Sequence, residues 1–308
     1  MADTGLRIRL GTRASLLAQW QANWVASRLR ELGVEVELVP VTTSGDQLQT
    51  PIGAASGTGI FTKEIQRELS AGRIDLAVHS LKDLPTEEVS GLVLAAVPER
   101  APVNDVLVSK KYRTLDELPK GGVVGTGSLR RRAQLLHVRP DLRPADIRGN
   151  VDTRLKKLDR GDYDAIVLAE AGLRRLDLAD WISQELPLSV ALPAVGQGAL
   201  GLETRAKDEA TRRALAPLDH APSHHAVLAE RAMLATLRGG CLAPVAAYAA
   251  MENQGLRLIG RVLSVDGARR LEAQGTSRPD GALALGRRVA ENLLRQGAGE
   301  LIETARKH

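Results

Sequence analysis

Residues 74–83 read Ile-Asp-Leu-Ala-Val-His-Ser-Leu-Lys-Asp. The run over 74–78 is short and mostly apolar, which suits a buried strand better than a helix. It ends abruptly in the polar run His79-Ser80-Leu81-Lys82-Asp83. Upstream, residues 62–71 have a helical pattern stopped by Gly72, and 34–43 read as a strand. Further upstream, a strand over 6–10 enters the loop Gly11-Thr12-Arg13-Ala14-Ser15 and a helix over 16–32. Leu17, Trp20 and Trp24 share one face of that helix, Val25, Leu29 and Leu32 share another, and Gly33 ends it. Strands alternating with helices predict βαβ units and a mainly parallel sheet. Such sheets bind ligands beyond the carboxyl ends of their strands. The polar run 79–83 falls at one of those ends.

The pattern repeats downstream. Strands are expected over 106–109, 123–124 and 165–169, and helices over 129–138, 151–159 and 171–176. The strand at 123–124 enters Gly125-Thr126-Gly127-Ser128, a second strand-to-helix turn that echoes the first. Residues 192–200 read as a crossing linker. Within it, Gly196-Gln197-Gly198-Ala199-Leu200-Gly201 matches a dinucleotide fingerprint literally but lacks the strand–turn–helix context that would give it meaning. Beyond 223 come a helix to 237, strands over 243–250, 256–265 and 270–275, and a helix over 281–295, with only a few terminal residues expected to be disordered. The expected fold is α/β: two doubly wound lobes and a small C-terminal α+β domain.

The chain has 308 residues and a net charge of +5. That length suits two or three domains. No apolar run approaches the roughly 20 residues of a membrane span. The first residues, MADTGLRIRLGTRAS, carry no apolar signal core, so a cytoplasmic protein with no membrane partner is expected. The single cysteine, Cys241, excludes internal disulfides and Cys-pair metal sites. His224-His225 has no further ligand spacing, and no metal is expected. Aromatics at 2% argue against a base-stacking surface, and so against nucleic acid as partner.

Of 42 basic residues, 33 are Arg and nine are Lys. A high-GC genome accounts for part of that excess, so position must decide. Arg130, Arg131, Arg132, Arg139, Arg143, Arg148 and Arg154 cluster within one stretch. Arg130 and Arg131 open a helix, where cations oppose the helix dipole by about 0.3–1 kcal/mol each. The exposed N–H groups of that turn favour an anion. Arg is the residue for forked binding of carboxylate or phosphate. The pattern suits a polyanion site, against the plainer reading of a solvated basic face. Asp83 beside Lys82 could steady a positive charge, or be an ordinary surface pair, and His79 reads as a core histidine. The loop Gly239-Gly240-Cys241 gives a thiol backbone clearance, which suits an exposed nucleophile better than packing.

Eight segments, in order, resemble the hydroxymethylbilane synthase (porphobilinogen deaminase) family. They are RIRLGTRASLLAQWQ (7–21), TSGD (43–46), IDLAVHSLKDLP (74–85), VGTGSLRRRAQL (124–135), RGNVDTRLKKL (148–158), DAIVLAEAGLRRL (164–176), LPAVGQGALGLE (192–203) and ERAMLATLRGGCLAP (230–244). The resemblance implies a transferase of tetrapyrrole (haem) biosynthesis. Such an enzyme joins four porphobilinogen molecules head to tail with release of ammonia, then hydrolyses the linear product free. It implies a dipyrromethane cofactor held by a thioether to Cys241, with the growing polypyrrole chain as partner and a monomeric protein. Asp83 matches the catalytic aspartate, which steadies the cation left when ammonia departs. Lys82, Asp83, Thr126, Ser128, Arg130, Arg131, Arg148 and Gly149 match cofactor-binding positions. Arg13, Ser15, Arg148, Arg154, Arg175 and Gln197 match substrate-binding positions. Each pyrrole bears an acetate and a propionate, so a six-ring chain presents about a dozen carboxylates, which calls for many forked cations.

The expected lobes resemble periplasmic-binding-protein domains. The expected boundaries are 1–98 with 196–217, then 102–193, then a C-terminal domain over 220–308 carrying the cysteine. Several positions depart from the common pattern, namely Thr58, Gly127, Ala246 and the stretch Arg100-Ala101-Pro102-Val103-Asn104-Asp105-Val106. Residues 44–59 suggest a mobile cover. The rival reading is a two-lobed anion- or solute-binding protein, which explains the lobes and the Arg but leaves Cys241 without a task.

Overall fold

The computed structural model describes residues 5–42, 62–239, 243–253 and 255–307. The chain divides into two compact units, residues 1–100 with 199–224 and residues 101–198 with 225–308.

The first unit is built on β1 (Arg7–Thr12), β2 (Glu35–Pro40), β3 (Leu76–Ser80), β4 (Leu92–Ala96) and β10 (Leu200–Arg205), in the order β2-β1-β3-β10-β4. Helices α1 (Leu16–Glu31) and α2 (Lys63–Ser70) supply its two apolar faces. Ile8, Leu10, Leu76, Val78 and Leu202 pack with Ala22, Val25, Ala26 and Leu29 of α1. Ala77, which points the other way from its neighbours on β3, packs with Ile65 and Leu69 of α2. At Gly11 a Cβ would lie 2.4 Å from Ile74 Cδ1, so glycine lets β1 pass that side chain without displacing its terminal methyl.

The expected parallel sheet is mixed. β1 runs parallel to β2 and β3, but β10 runs antiparallel to both β3 and β4. β4 and β10 have no counterpart in the sequence reading. Most of the residues of β10 are buried, so it shows no alternation, and it begins inside the segment read as a linker. β3 also runs two residues further than expected, through His79 and Ser80, because both find polar partners within the sheet's flanks.

At the opposite edge of this sheet, the Asp75 carboxylate accepts from Arg9 at 2.8–3.1 Å and from Arg205 at 2.7 Å. Burial alone would raise Asp75, but the hydrogen bonds from Arg9 and Arg205 outweigh it and hold the group at about 2. A carboxyl depressed on folding stabilises the protein fully above its unfolded value near 3.8, and that stabilisation is lost as pH falls toward 2. Asp75→Asn should therefore lower the melting temperature at neutral pH and flatten the acid limb of the stability curve below about pH 4. Thermal melts at stepped pH check this; an acid limb identical to the parent's would exclude the network as its source.

The second unit carries two sheets. One comprises β5 (Asp105–Val108), β6 (Val123–Gly125), β7 (Arg143–Ala145), β8 (Ala165–Ala169) and β9 (Gln184–Glu185), in the order β7-β6-β8-β5-β9. β6 is parallel to β7 and β8, whereas β5 is antiparallel to β8 and β9. Helices α3 (Leu129–Val138), α4 (Val151–Asp159) and α5 (Glu170–Arg175) follow β6, β7 and β8. The other sheet is the antiparallel set β11 (Val245–Glu252), β12 (Gly255–Leu263) and β13 (Arg270–Ser277). It packs on α7 (Ala221–Leu237) and α8 (Ala282–Arg295), two helices that follow the short α6 (Glu209–Leu215) in the chain. Gly286 lets α8 approach α7: a Cβ there would lie 2.3 Å from Ala229 O. Beyond the expected last helix the chain forms a further one, α9 (Ala298–Arg306), whose Ala298, Leu301, Ile302 and Ala305 are buried.

Buried polar contacts tie the antiparallel sheet and α7 to α3 and to the segment 192–196. Arg261 of β12 donates to Gln134 Oε1 at 2.8 Å, and Gln134 in turn brackets the Leu192 N–H and C=O. The wholly buried Glu230 carboxylate accepts from Gly196 N–H at 2.7 Å and Ala249 N–H at 2.8 Å.

Candidate active site

In the first unit, β1 and β3 are parallel neighbours, with Leu10 opposite Leu76 and Gly11 opposite Ala77. Arg13 and Ser15 therefore follow one carboxyl end, and Lys82 and Asp83 follow the next. Ser15 is the N-cap of α1 and accepts from Ala18 N–H at 3.3 Å. Lys82 and Asp83 lie in a single 3-10 turn, Leu81–Asp83. Leu81 and Leu84 are buried on either side of them. The Leu81 N–H donates to Ala199 O at 3.0 Å and the Leu84 N–H to Leu81 O at 3.2 Å. Two buried leucines thus plant the turn and leave Asp83 exposed with Lys82 half-buried. His79 is the core histidine expected, at 4% exposure, with Nε2 2.9 Å from Glu203 Oε2.

In the second unit, the carboxyl ends of three parallel strands supply the remaining residues. After β6, the Thr126 hydroxyl accepts from Ser128 N–H at 3.2 Å, and Ser128 caps α3, accepting from Arg131 N–H at 3.5 Å. Both echoed turns therefore end in a serine N-cap. After β7, Arg148 is exposed, 3.7 Å from the exposed Asp146. Gly149 has φ 109°, and a Cβ there would lie 2.6 Å from Thr153 Cγ2. This loop is held from below by cations: Arg154 Nε donates to Gly149 O at 2.7 Å and Lys157 Nζ to Arg148 O at 3.1 Å. After β8, Arg175 donates to Gly198 O at 2.7 Å, and burial pulls its guanidinium down to about 10. Gln197 is buried and donates to Val103 O at 2.7 Å and Asp105 Oδ1 at 2.9 Å.

Arg130 and Arg131 are not a solvated basic face. Both are buried, and both grip the wholly buried Asp105 at the head of β5. Arg130 Nη1 lies 2.6 Å from Asp105 Oδ2, and Arg131 holds Oδ1 through Nε at 2.9 Å and Nη2 at 2.8 Å. Further donors reach Leu192 O from Arg130 and Val167 O from Arg131. Burial would raise the Asp105 carboxyl, but the two guanidiniums hold it far below the usual carboxylate range. Burial lowers Arg130 from its ordinary value, opposed by Asp105. The cations at the head of α3 thus have an internal counter-ion that sequence reading missed. Its only local signal is an acid opening the otherwise apolar run Val106-Leu107-Val108. One donor is left over: the buried Arg130 Nε has no hydrogen-bond partner among the described residues.

Cys241, the TSGD segment, Thr58 and the expected cover over 44–59 lie outside the described residues. The remaining candidates form two sets. Arg13, Ser15, Lys82 and Asp83 gather at one sheet edge of the first unit. Thr126, Ser128, Arg148, Gly149, Arg154 and Arg175 gather at strand ends of the second, with Arg130, Arg131 and Gln197 around Asp105 beneath. Apart from Asp83, both sets offer cations, hydroxyls and capped helix N-termini, and an orphaned guanidinium N–H in the second. That chemistry fits an acetate- and propionate-bearing group such as a dipyrromethane.

Two family profiles match the chain. "Porphobilinogen deaminase, dipyromethane cofactor binding domain" covers residues 8–213, and "Porphobilinogen deaminase, C-terminal domain" covers residues 224–295. Among curated relatives, porphobilinogen deaminase of Syntrophotalea carbinolica is 48% identical over 96% of this chain and 95% of its own length. That of Pelotomaculum thermopropionicum is 48% identical over 97% of both chains. Among solved structures, a nutrient binding protein from Burkholderia cenocepacia bound to methionine aligns with TM-score 0.42 and 16% identity over 68% of this chain and 90% of that one. A Salmonella typhimurium periplasmic binding protein aligns with TM-score 0.41 and 14% identity, over 69% and 91%.

Proposed function

Because the chain belongs to the porphobilinogen deaminase family, we propose that its strand-end residues hold a dipyrromethane cofactor and a lengthening chain of pyrroles. The protein is a transferase that condenses four porphobilinogen molecules head to tail with loss of ammonia, and releases linear hydroxymethylbilane by hydrolysis. The dipyrromethane, when bound, supplies the primer on which that chain is built.

In this reading Cys241 anchors the cofactor through its sulfur. Lys82, Thr126, Ser128, Arg148 and Gly149 receive cofactor carboxylates, and Arg130 contributes the Nε left free beside Asp105. Arg13, Ser15, Arg154, Arg175 and Gln197 serve the substrate carboxylates. Asp83 is the catalytic residue: its ionised carboxylate hydrogen-bonds pyrrole N–H groups and stabilises positive charge as ammonia leaves. The observation that carries this is a single exposed carboxylate beside an ammonium, on a turn planted by Leu81 and Leu84, at a sheet edge otherwise furnished for anions. No helix among the described residues is long and apolar enough to cross a membrane. The proposed setting is a monomer in the cytoplasm that needs no nucleic acid. The three-domain division, with residues 220–308 as a cofactor-bearing domain, belongs to the same proposal.

Intact-protein mass spectrometry tests the central assignment. The purified chain should carry a covalent excess of two pyrrole units, absent in Cys241→Ser. An unmodified mass for active protein would overturn the cofactor assignment.

A further inference from the structure

Beneath the turn that carries Lys82 and Asp83 lies a polar cluster with no task in the chemistry above. His79 and Ser80 are the last residues of β3 and point to opposite faces of the sheet. On one face, His79 Nε2 lies 2.9 Å from Glu203 Oε2 of β10. Glu203, 5% exposed, also accepts from Gln66 Nε2 of α2, at 3.0 Å to Oε1 and 3.3 Å to Oε2. On the other face, Ser80 Oγ accepts from Gln21 Nε2 of α1 at 2.8 Å, and Gln21 is itself buried. Two elements, β10 and α1, thus grip two consecutive residues, with α2 backing the β10 contact through Glu203, and Asp83 follows three positions later.

Stability alone is a poor account of this arrangement. A buried carboxylate costs free energy unless its oxygens are matched, and apolar residues of similar size often serve stability as well or better. Hydrogen bonds add what apolar packing lacks, a direction and a narrow range of distance. Leu81 N–H to Ala199 O continues the β3–β10 pairing into the turn, so the strand's placement passes directly to the turn's backbone.

We infer that His79, Glu203 and Gln66 are positioning residues that fix the end of β3 and, through it, the carboxylate of Asp83. The inference rests on the assignment of Asp83 as the catalytic residue. A misplacement of about 1 Å in a reacting group can cost on the order of 10²-fold in rate without weakening substrate binding. Glu203→Gln preserves the cluster by a simple exchange. The amide oxygen accepts from Gln66 while the amide N–H donates to His79 Nε2, which requires the Nδ1–H tautomer of the ring.

The test compares His79→Ala, Glu203→Ala and Glu203→Gln in the full chain. The alanine variants should lose at least ~10-fold in kcat with KM held within about threefold. Their amides over 81–84 should exchange with solvent at least ~10-fold faster, in cofactor-loaded protein and in the Cys241→Ser background alike. Glu203→Gln should stay near the parent in both readouts, with nitrogen NMR reporting the His79 tautomer change. Alanine variants with parental kcat overturn the inference. So does a loss of activity without faster exchange over 81–84, or a Glu203→Gln as impaired as Glu203→Ala. If the alanine variants fail to fold, Gln66→Leu and His79→Gln carry the same comparison. Should Asp83→Asn prove fully active, the catalytic assignment fails, while the exchange data still judge the positioning role separately.

Discussion

Asp83→Asn is expected to fold and to load its cofactor at least in part, yet to lose turnover by about 10²–10³-fold. The expectation follows from what the change removes. An amide oxygen can still accept a pyrrole N–H, so recognition survives in part. The formal negative charge is gone, and with it the attraction that grows as positive charge develops on the substrate. Charge placed beforehand, on a rigid turn, is worth more than charge that must be gathered from solvent. The turn is rigid for reasons independent of Asp83, since buried Leu81 and Leu84 and the bond to Ala199 O hold it. Melting temperature should therefore stay close to the parent's, because Asp83 is exposed. Steady-state turnover, circular dichroism and intact mass on the same preparation separate these effects. Near-parental turnover would remove Asp83 from the chemistry.

The second large effect is structural. Asp105→Ala should cost about 3–5 kcal/mol of folding stability, the usual consequence of leaving buried charge uncompensated. Here two guanidiniums, not one, lose their counter-ion, and Gln197 loses an acceptor. The loss should exceed that of Asp105→Asn, which retains one oxygen for the fork of Arg131. Denaturant unfolding of the three proteins checks the order. The same pairing predicts an acid response of known sign. Asp105 is depressed on folding, so its stabilisation holds above the ordinary carboxylate range and is lost only in stronger acid. An Asp105→Ala protein as stable as the parent would mean that Arg130 and Arg131 find other anions, such as the carboxylates of the cofactor.

Much of the fold was legible along the chain. The helices over 129–138 and 151–159 and the strand over 165–169 lie where the pattern placed them, because each has clear punctuation: Ser128 and Pro140, Asn150 and Gly161, an apolar run after Asp164. β10 was not legible, since burial on both faces erases alternation, and its antiparallel direction arises from a return of the chain after more than a hundred residues. In the site, the strand-end position of Asp83 and Ser128 could be read from local sequence, whereas that of Arg148 could not, because β7 is only three residues, Arg143-Pro144-Ala145, and shows no strand pattern. The inward turn of Arg130 and Arg131 could not, because a helix position states a face and not the depth of what lies beneath it.

By itself, then, the sequence determined the alternation of strands and helices, the turns on which anion-binding groups stand, and the family to which those segments belong. These are local properties, set by backbone preference, by periodicity and by residues a few positions apart. Only the tertiary structure decided which of 33 arginines are free to meet a ligand and which serve the protein's own carboxylates. A charge can be buried only beside an opposite charge or well-placed dipoles, and for Arg130 and Arg131 that partner is Asp105, which comes from a separate strand.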